Sequence, residues 1–173
     1  IKKSLVREVF KRVRKDGRLS LLEHEAKEVV KAYGIRVPET KLARSEDEAV
    51  RCAKEIGYPV VLKVSSPEVL HKTDIGGVML NITSDDEVRR AFRLISDRLS
   101  RLAKGAKFYG VTVQKMVPKA REVILGVARD PNFGHVMMFG SGGIYTDIFK
   151  DRSFSLLPLS AEEANRMIER TRA

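Results

Sequence analysis

The sequence predicts an α+β fold, mixed in its order of helices and strands, and three observations carry that prediction. Ser-x-x-Glu pairs recur at Ser20/Glu23, Ser45/Glu48, Ser84/Glu87 and Ser160/Glu163, each with the capping-box spacing that starts a helix. Short β-branched runs bounded by turn residues lie between and beyond those helices. Helices and strands interleave only in the first half, and consecutive strands follow until Ser160, without the regular alternation of a doubly wound sheet.

Each element has its own signal. Residues 1–18 set lysines and arginines against Leu5, Val6, Phe10 and Val13 at helical spacing, which predicts a basic amphipathic helix with a solvated face. After Ser20, Leu22, Ala26, Val29, Val30 and Tyr33 share a face, and Gly34 ends the helix. After Ser45, Ala49, Val50, Ala53 and Ile56 line up as far as Gly57; after Ser84, Val88, Ala91, Phe92, Ile95 and Leu99 do the same. Strands are expected over 40–43, 59–64, 78–82, 110–117, 122–128, 135–139, 144–149 and 154–157. Gly105-Ala106-Lys107 is the expected seam, dividing a single domain of 1–173 into subdomains 20–107 and 108–173.

Composition narrows the class of protein. A chain of 173 residues, 43% hydrophobic and 32% charged, suits one globular domain with a real core. No apolar run could span a bilayer and no signal-peptide core follows Ile1, which sets the expectation of a cytoplasmic protein without a membrane partner. The single cysteine, Cys52, reads as a small buried hydrophobe in a reducing compartment. One glutamine among many charges suggests a thermophilic source. The net charge of +10 points to nucleic acid, an anionic substrate or an acidic partner subunit.

Pro59 to Asn81 organises the rest. Val60-Val61-Leu62-Lys63-Val64 reads as a buried strand, and a lysine there needs a partner, because a lone ammonium loses its hydration for nothing. Ser65-Ser66-Pro67 breaks the strand, a loop with His71, Lys72, Thr73, Asp74, Gly76 and Gly77 follows, and Val78-Met79-Leu80 leads away. Neither a P-loop nor a Rossmann glycine motif is present, so a strand lysine with a glycine-bearing loop is the remaining phosphate-handling layout. Lys63 could meet phosphates with a contact worth roughly 1.5–3 kcal/mol, and Gly76-Gly77 would let backbone N–H groups point at phosphate oxygens. A neutral imidazole is a phosphoryl nucleophile, so His71 could be one, with Lys72 neutralising the phosphate and Asp74 orienting the ring. His24 and His135 lack such a context and read as structural.

The segment K-V-S-S-P-E-V-L-H-K-T-D-I-G-G-V resembles the ATP-grasp domain of the NDP-forming acyl-CoA synthetases, whose members include the β subunits of ADP-forming acetyl-CoA synthetase and succinyl-CoA synthetase. The resemblance extends from about Leu19 to the end of the chain. It implies an ATP-grasp fold with the nucleotide between two subdomains, ATP/ADP and Mg²⁺ as cofactors, and a CoA-binding α subunit or domain as partner in a hetero-oligomer. It also implies that Lys63 binds ATP and that His71 accepts and shuttles a phosphoryl group. Gln114-Lys115-Met116-Val117-Pro118 matches the hinge that holds adenine, with Lys115 and Val117 at the hinge positions, and Glu122 matches the acid on the ribose hydroxyls. Asp130-Pro131-Asn132-Phe133-Gly134 and Phe139-Gly140-Ser141-Gly142-Gly143 resemble two further blocks, after which Asp147 and Asp151 are candidates for Mg²⁺. The family commonly has glutamate where Asp147 stands, and its chain continues past Ala173 with residues that complete the metal site, so an incomplete C-terminus is expected.

The implied reaction is acyl-CoA, ADP and phosphate to acid, CoA and ATP through a phosphohistidine. One alternative is an ATP-grasp carboxylate ligase without a phosphoenzyme. The other is a basic nucleic-acid-binding module, against which stand 6% aromatic residues and no tryptophan.

Overall fold

A computed structural model describes residues 1–143 and 151–172; the strand expected over 144–149 and the metal candidate Asp147 lie outside the described residues. The chain forms two compact units, Ile1–Val117 and Pro118–Ala173.

The first unit runs α1 (Lys3–Lys15), α2 (Glu23–Ala32), β1 (Thr40–Ala43), α3 (Glu46–Ile56), β2 (Val60–Val64), β3 (Val78–Ile82), α4 (Asp85–Leu102) and β4 (Val111–Lys115). Its sheet has the order β1-β4-β2-β3, with each neighbouring pair antiparallel. The expected seam at 105–107 does not coincide with the unit boundary after Val117, because β4 hydrogen-bonds to both β1 and β2 and so belongs to this sheet.

Strand alternation makes the sheet two-faced. Val60, Leu62, Val64, Val111 and Val113 pack with Ala49, Val50, Ala53, Val88, Ile95 and Leu99 of α3 and α4 into one apolar core. The apolar stripe read from the sequence for α4 is its set of buried residues; in α3, Ala49, Val50 and Ala53 are buried as expected, Cys52 joins them, and Ile56 is half-buried. The intervening residues are on the other face, where Lys63 stands opposite Thr112, Val61 opposite Gln114, and Gln114 opposite Thr40. A polar row is thus held rigidly by a strand pair whose back is in the core.

Three of the four predicted caps form. The hydroxyls of Ser45, Ser84 and Ser160 accept the N–H of Glu48, Glu87 and Glu163. The Ser20 cap does not form. Helix α2 starts at Glu23, and it is Glu25 that reaches back, accepting the Leu22 N–H at 2.7 Å. Arg18 clamps the same buried Glu25 carboxylate with bonds of 2.7 and 2.6 Å. With this bidentate pair fixing the helix start, Glu23 moves from the predicted capping role to the side of α2 that faces the sheet. Helix α1 buries Val6, Val9 and Val13, and its Arg12 pairs with Glu28 of α2 at 3.0 Å; Leu5 and Phe10, expected in its apolar stripe, are exposed.

The second unit is a meander, β5 (Val123–Asp130), β6 (Gly134–Ser141) and β7 (Arg152–Leu156), followed by α5 (Ala161–Glu169). Its strands pair antiparallel throughout, and Met167 of α5 and Ser153 of β7 are buried.

Candidate functional site

The chemistry of the first unit gathers on the polar face of its sheet. Lys63 Nζ is 2.8 Å from Glu23 Oε1 and donates to Gln114 Oε1 at 3.2 Å. Lys27, one helical turn after Glu23, donates to the same Glu23 oxygen at 2.9 Å, to Thr40 Oγ1 at 3.0 Å, and to Gln114 Oε1. Lys72 Nζ approaches the second oxygen, Glu23 Oε2, at 3.4 Å. One carboxylate therefore serves three ammonium groups, all of them half-buried. Burial pushes the Glu23 carboxyl up, but its bonds to Lys63 and Lys27 outweigh that and hold it down at about 2. Burial likewise pushes the Lys27 ammonium down, against the pull of Glu23.

The partner that a strand lysine requires is thus Glu23, and counting charges tells what else the place can hold. Three cations against one anion leave two positive charges in a partly desolvated cluster, an arrangement that favours a further anion of phosphate type. Beside it lies a cavity of about 100 Å³ lined by residues that include Glu23, Ser65, Ser66 and Lys72.

The loop from His71 to Gly77 closes on itself. The Asp74, Gly76 and Gly77 N–H groups donate to the carbonyls of His71 (3.2 Å), Thr73 (2.9 Å) and Lys72 (2.7 Å). This corrects the expectation that the two glycine N–H groups are free to face phosphate. Glycine is needed here for packing. A Cβ on Gly77 would lie 2.7 Å from Val64 Cγ1, and Gly76 has φ +62° with its carbonyl on Arg98 Nη1 at 2.7 Å. The His71 side chain is exposed at the edge of this loop, and Asp74 touches the His71 backbone rather than orienting its ring. His71 is adjacent in sequence to Lys72, and Lys72 shares Glu23 with Lys63, so the loop that carries the exposed imidazole is tied to the lysine cluster.

The other predicted residues are placed differently. Gln114 is buried within the cluster. Lys115 is on the opposite face of β4, and its ammonium donates to the carbonyls of Gly57 (2.7 Å) and Tyr58 (3.1 Å). The backbone N–H groups of Lys115 and Met116 are engaged by the carbonyls of Glu39 and Pro59, while Val117 is exposed. In the second unit, exposed Glu122 accepts the Gly142 N–H on its carbonyl at 2.8 Å. The Asp-Pro-x-Phe-Gly block is a turn, with Asp130 Oδ1 accepting the N–H groups of Asn132 and Phe133 at 2.9 and 3.0 Å. Asp151 Oδ2 is taken by the Ser141 hydroxyl and the Arg172 N–H, both at 2.7 Å. Among the described residues no three His, Cys, Asp or Glu side chains converge as a metal site.

Of the remaining titratable groups, His24 is half-buried, its imidazole pushed down by burial, and Cys52 is buried with its thiol pushed up for the same reason. Sequence reading missed Glu23, Lys27 and Thr40. The available signal was the Glu23/Lys27 pair four residues apart, which marks one helix face.

The description "ATP-grasp domain" belongs to the family whose pattern residues 12–173 match. The β subunit of ADP-forming acetate–CoA ligase I from Pyrococcus furiosus is 48% identical over 167 residues, 96% of this chain and 72% of that subunit. Among solved structures, dinucleotide-forming acetyl-coenzyme A synthetase 1 of Ca. Korarchaeum cryptofilum, in complex with coenzyme A, Ca-AMPCP and HgCl⁺, superposes with a TM-score of 0.90 at 46% identity, covering 96% of this chain and 72% of that one. The same enzyme with coenzyme A and Mg-AMPPCP, its phosphohistidine segment pointing towards the nucleotide binding site, gives a TM-score of 0.78 at 42% identity, covering 97% and 71%. No helix among the described residues is long and apolar enough to cross a membrane.

Proposed function

This chain belongs to the ATP-grasp domain family, and from that premise we propose that it is the nucleotide-binding part of an ADP-forming acyl-CoA synthetase, an acid–thiol ligase that moves phosphate through His71. The observation that carries the reading is the shared carboxylate. Glu23 joins Lys63, the strand lysine, to Lys72, the neighbour of an exposed histidine, in a cluster with surplus positive charge. The relatives' names support the same chemistry, through acetate–CoA ligation, a phosphohistidine segment and a bound Mg-nucleotide.

The cofactors are ATP/ADP and Mg²⁺, and the partner is a CoA-binding subunit or domain. Lys63, with Gln114 setting its direction, meets the nucleotide phosphates; Lys115 and Val117 flank the adenine and Glu122 the ribose. Gly76 and Gly77 keep the His71 loop compact. Asp147 and Asp151 are offered as metal ligands, and Mg²⁺ when bound supplies charge neutralisation on the triphosphate.

In the ATP-consuming direction, the lone pair of a His71 ring nitrogen forms a P–N bond to the γ-phosphorus. The bond from that phosphorus to the β–γ bridging oxygen breaks, and the oxygen leaves with its electron pair as part of ADP. The phosphoryl group then passes to a histidine of the CoA-binding partner, and the P–N electron pair returns to the His71 ring. From that histidine it passes to the carboxylate held by the partner, whose oxygen forms the new P–O bond as the second P–N bond breaks. The CoA thiol attacks the resulting acyl phosphate, its proton going to the departing inorganic phosphate. Positioning and charge neutralisation do most of the work in such transfers, which suits a lysine cluster with surplus positive charge.

The test is phosphoryl labelling of the full-length protein mixed with its CoA-binding partner, using γ-phosphate-labelled ATP and Mg²⁺. Acid-labile label on this chain that disappears in His71→Asn is expected. Acyl-CoA synthesis without any label on this chain would refute the shuttle and favour a ligase without a phosphoenzyme.

A further inference from the structure

We propose that Glu23 is a positioning residue for the phosphoryl transfer: it holds the strand lysine and the His71 loop on one carboxylate, and cedes Lys72 to the phosphoryl group when it arrives. The inference rests on the phosphohistidine reading above and concerns a residue on a different element, the first position of α2.

Its geometry is specific. Oε1 takes Lys63 at 2.8 Å and Lys27 at 2.9 Å, while Oε2 takes, among the described residues, only Lys72, at 3.4 Å. Glu23 is the one carboxylate within ion-pair distance of these three lysines among the described residues. The two oxygens therefore do different jobs. The first sits in a rigid frame, because Lys63 is fixed by β2, and Lys27 is fixed by Thr40 and Gln114. The second is the longer bond, to a residue on the loop that carries His71. At this distance the Lys72 pair is the weakest of the three and the first to exchange for a better acceptor.

The remaining wall agrees with an exchange site. Lys72 and Glu23 border the cavity of about 100 Å³, and the buried Ser65 hydroxyl on the same wall has no hydrogen-bond partner among the described residues. A phosphoryl group on His71 carries about two negative charges and strong acceptor oxygens, so it outcompetes one carboxylate oxygen for Lys72. Before that moment, the Glu23–Lys72 bond keeps the loop docked beside Lys63. A carboxylate in this place thus orders an otherwise repelling group of cations without blocking it permanently.

The experiment is single-turnover labelling of the full-length protein in complex with its CoA-binding partner, using γ-phosphate-labelled ATP, under conditions where melting curves show every variant folded. Glu23→Gln keeps the shape and removes the charge; Lys72→Gln removes the mobile partner; Glu23→Asp restores the charge with a shorter reach. Misplacing the loop by about 1 Å can cost a hundredfold, so Glu23→Gln should slow label arrival on His71 by roughly tenfold or more, with nucleotide affinity changed far less. Glu23→Asp should recover part of the rate. The Glu23→Gln, Lys72→Gln double variant should be slowed by less than the product of the two single effects, because part of each is the loss of the same Glu23–Lys72 bond.

A wild-type labelling rate in Glu23→Gln would overturn the proposal. So would slowing explained fully by lost nucleotide occupancy, or independent multiplying effects of the two substitutions. Absence of label on the wild-type protein is a distinct result, which refutes the phosphohistidine reading itself and this role with it.

Discussion

Replacing Glu23 by glutamine has a consequence for stability that can be worked out from its surroundings. In the folded protein the carboxyl is held at about 2, against an ordinary 4.5, because the bonds to Lys63 and Lys27 outweigh burial. A pKa difference of one is worth about 1.4 kcal/mol, so the displacement corresponds to roughly 3–4 kcal/mol. Water still reaches 19% of the side chain, and screening reduces the expected contribution to roughly 1–3 kcal/mol. The sign follows from the direction. A carboxyl held below its unfolded value stabilises the protein fully above about 4.5, and that contribution is lost as the pH falls through 4.5 towards 2. Glutamine does not titrate. Urea unfolding of the full-length wild type and Glu23→Gln, from neutral pH down to about 3, should show the wild type more stable at neutral pH and the gap closing on acidification. A gap that stays constant across the series, or widens in acid, would refute the account of Glu23 as the ionised centre of the lysine cluster.

Two further outcomes follow from the same structure. Lys63→Met should weaken nucleotide binding by roughly tenfold to a hundredfold, the value of about 1.5–3 kcal/mol for a charge-assisted phosphate contact, and titration calorimetry with ADP would read it; unchanged affinity would remove Lys63 from the nucleotide site. Ser45→Ala should cost about 1 kcal/mol by removing the acceptor for the Glu48 N–H, whereas Ser20→Ala should stay within about 0.5 kcal/mol, because α2 begins at Glu23; equal losses in urea unfolding would contradict the observed helix start.

Much of this protein was readable from local chemistry. The capping serines before α3, α4 and α5 satisfy N–H groups three residues away, so short-range sequence suffices to start those helices. The alternation in Val60–Val64 places Lys63 against its neighbours, and β-branched runs settle which segments extend. His71 could be singled out because its loop carries an unusual density of groups suited to phosphate.

Tertiary structure decided what long-range partners select. Glu23 was three residues after a serine and read as a cap, but Arg18 and Glu25 form a buried bidentate pair that fixes the helix start, and Glu23 is released toward a sheet residue 40 positions away. Gly76 and Gly77 fold the loop against Val64 and Arg98 instead of offering their N–H groups outward, which depends on side chains from β2 and α4. Lys115 and Gln114 are adjacent in sequence yet serve opposite faces of β4, one bonding to a turn and the other to the lysine cluster. Sequence by itself determined which segments are helix and strand and where the candidate lysine and histidine stand. Only the packed sheet decided which carboxylate balances them, since a half-buried cation is stable only where folding brings an anion to it.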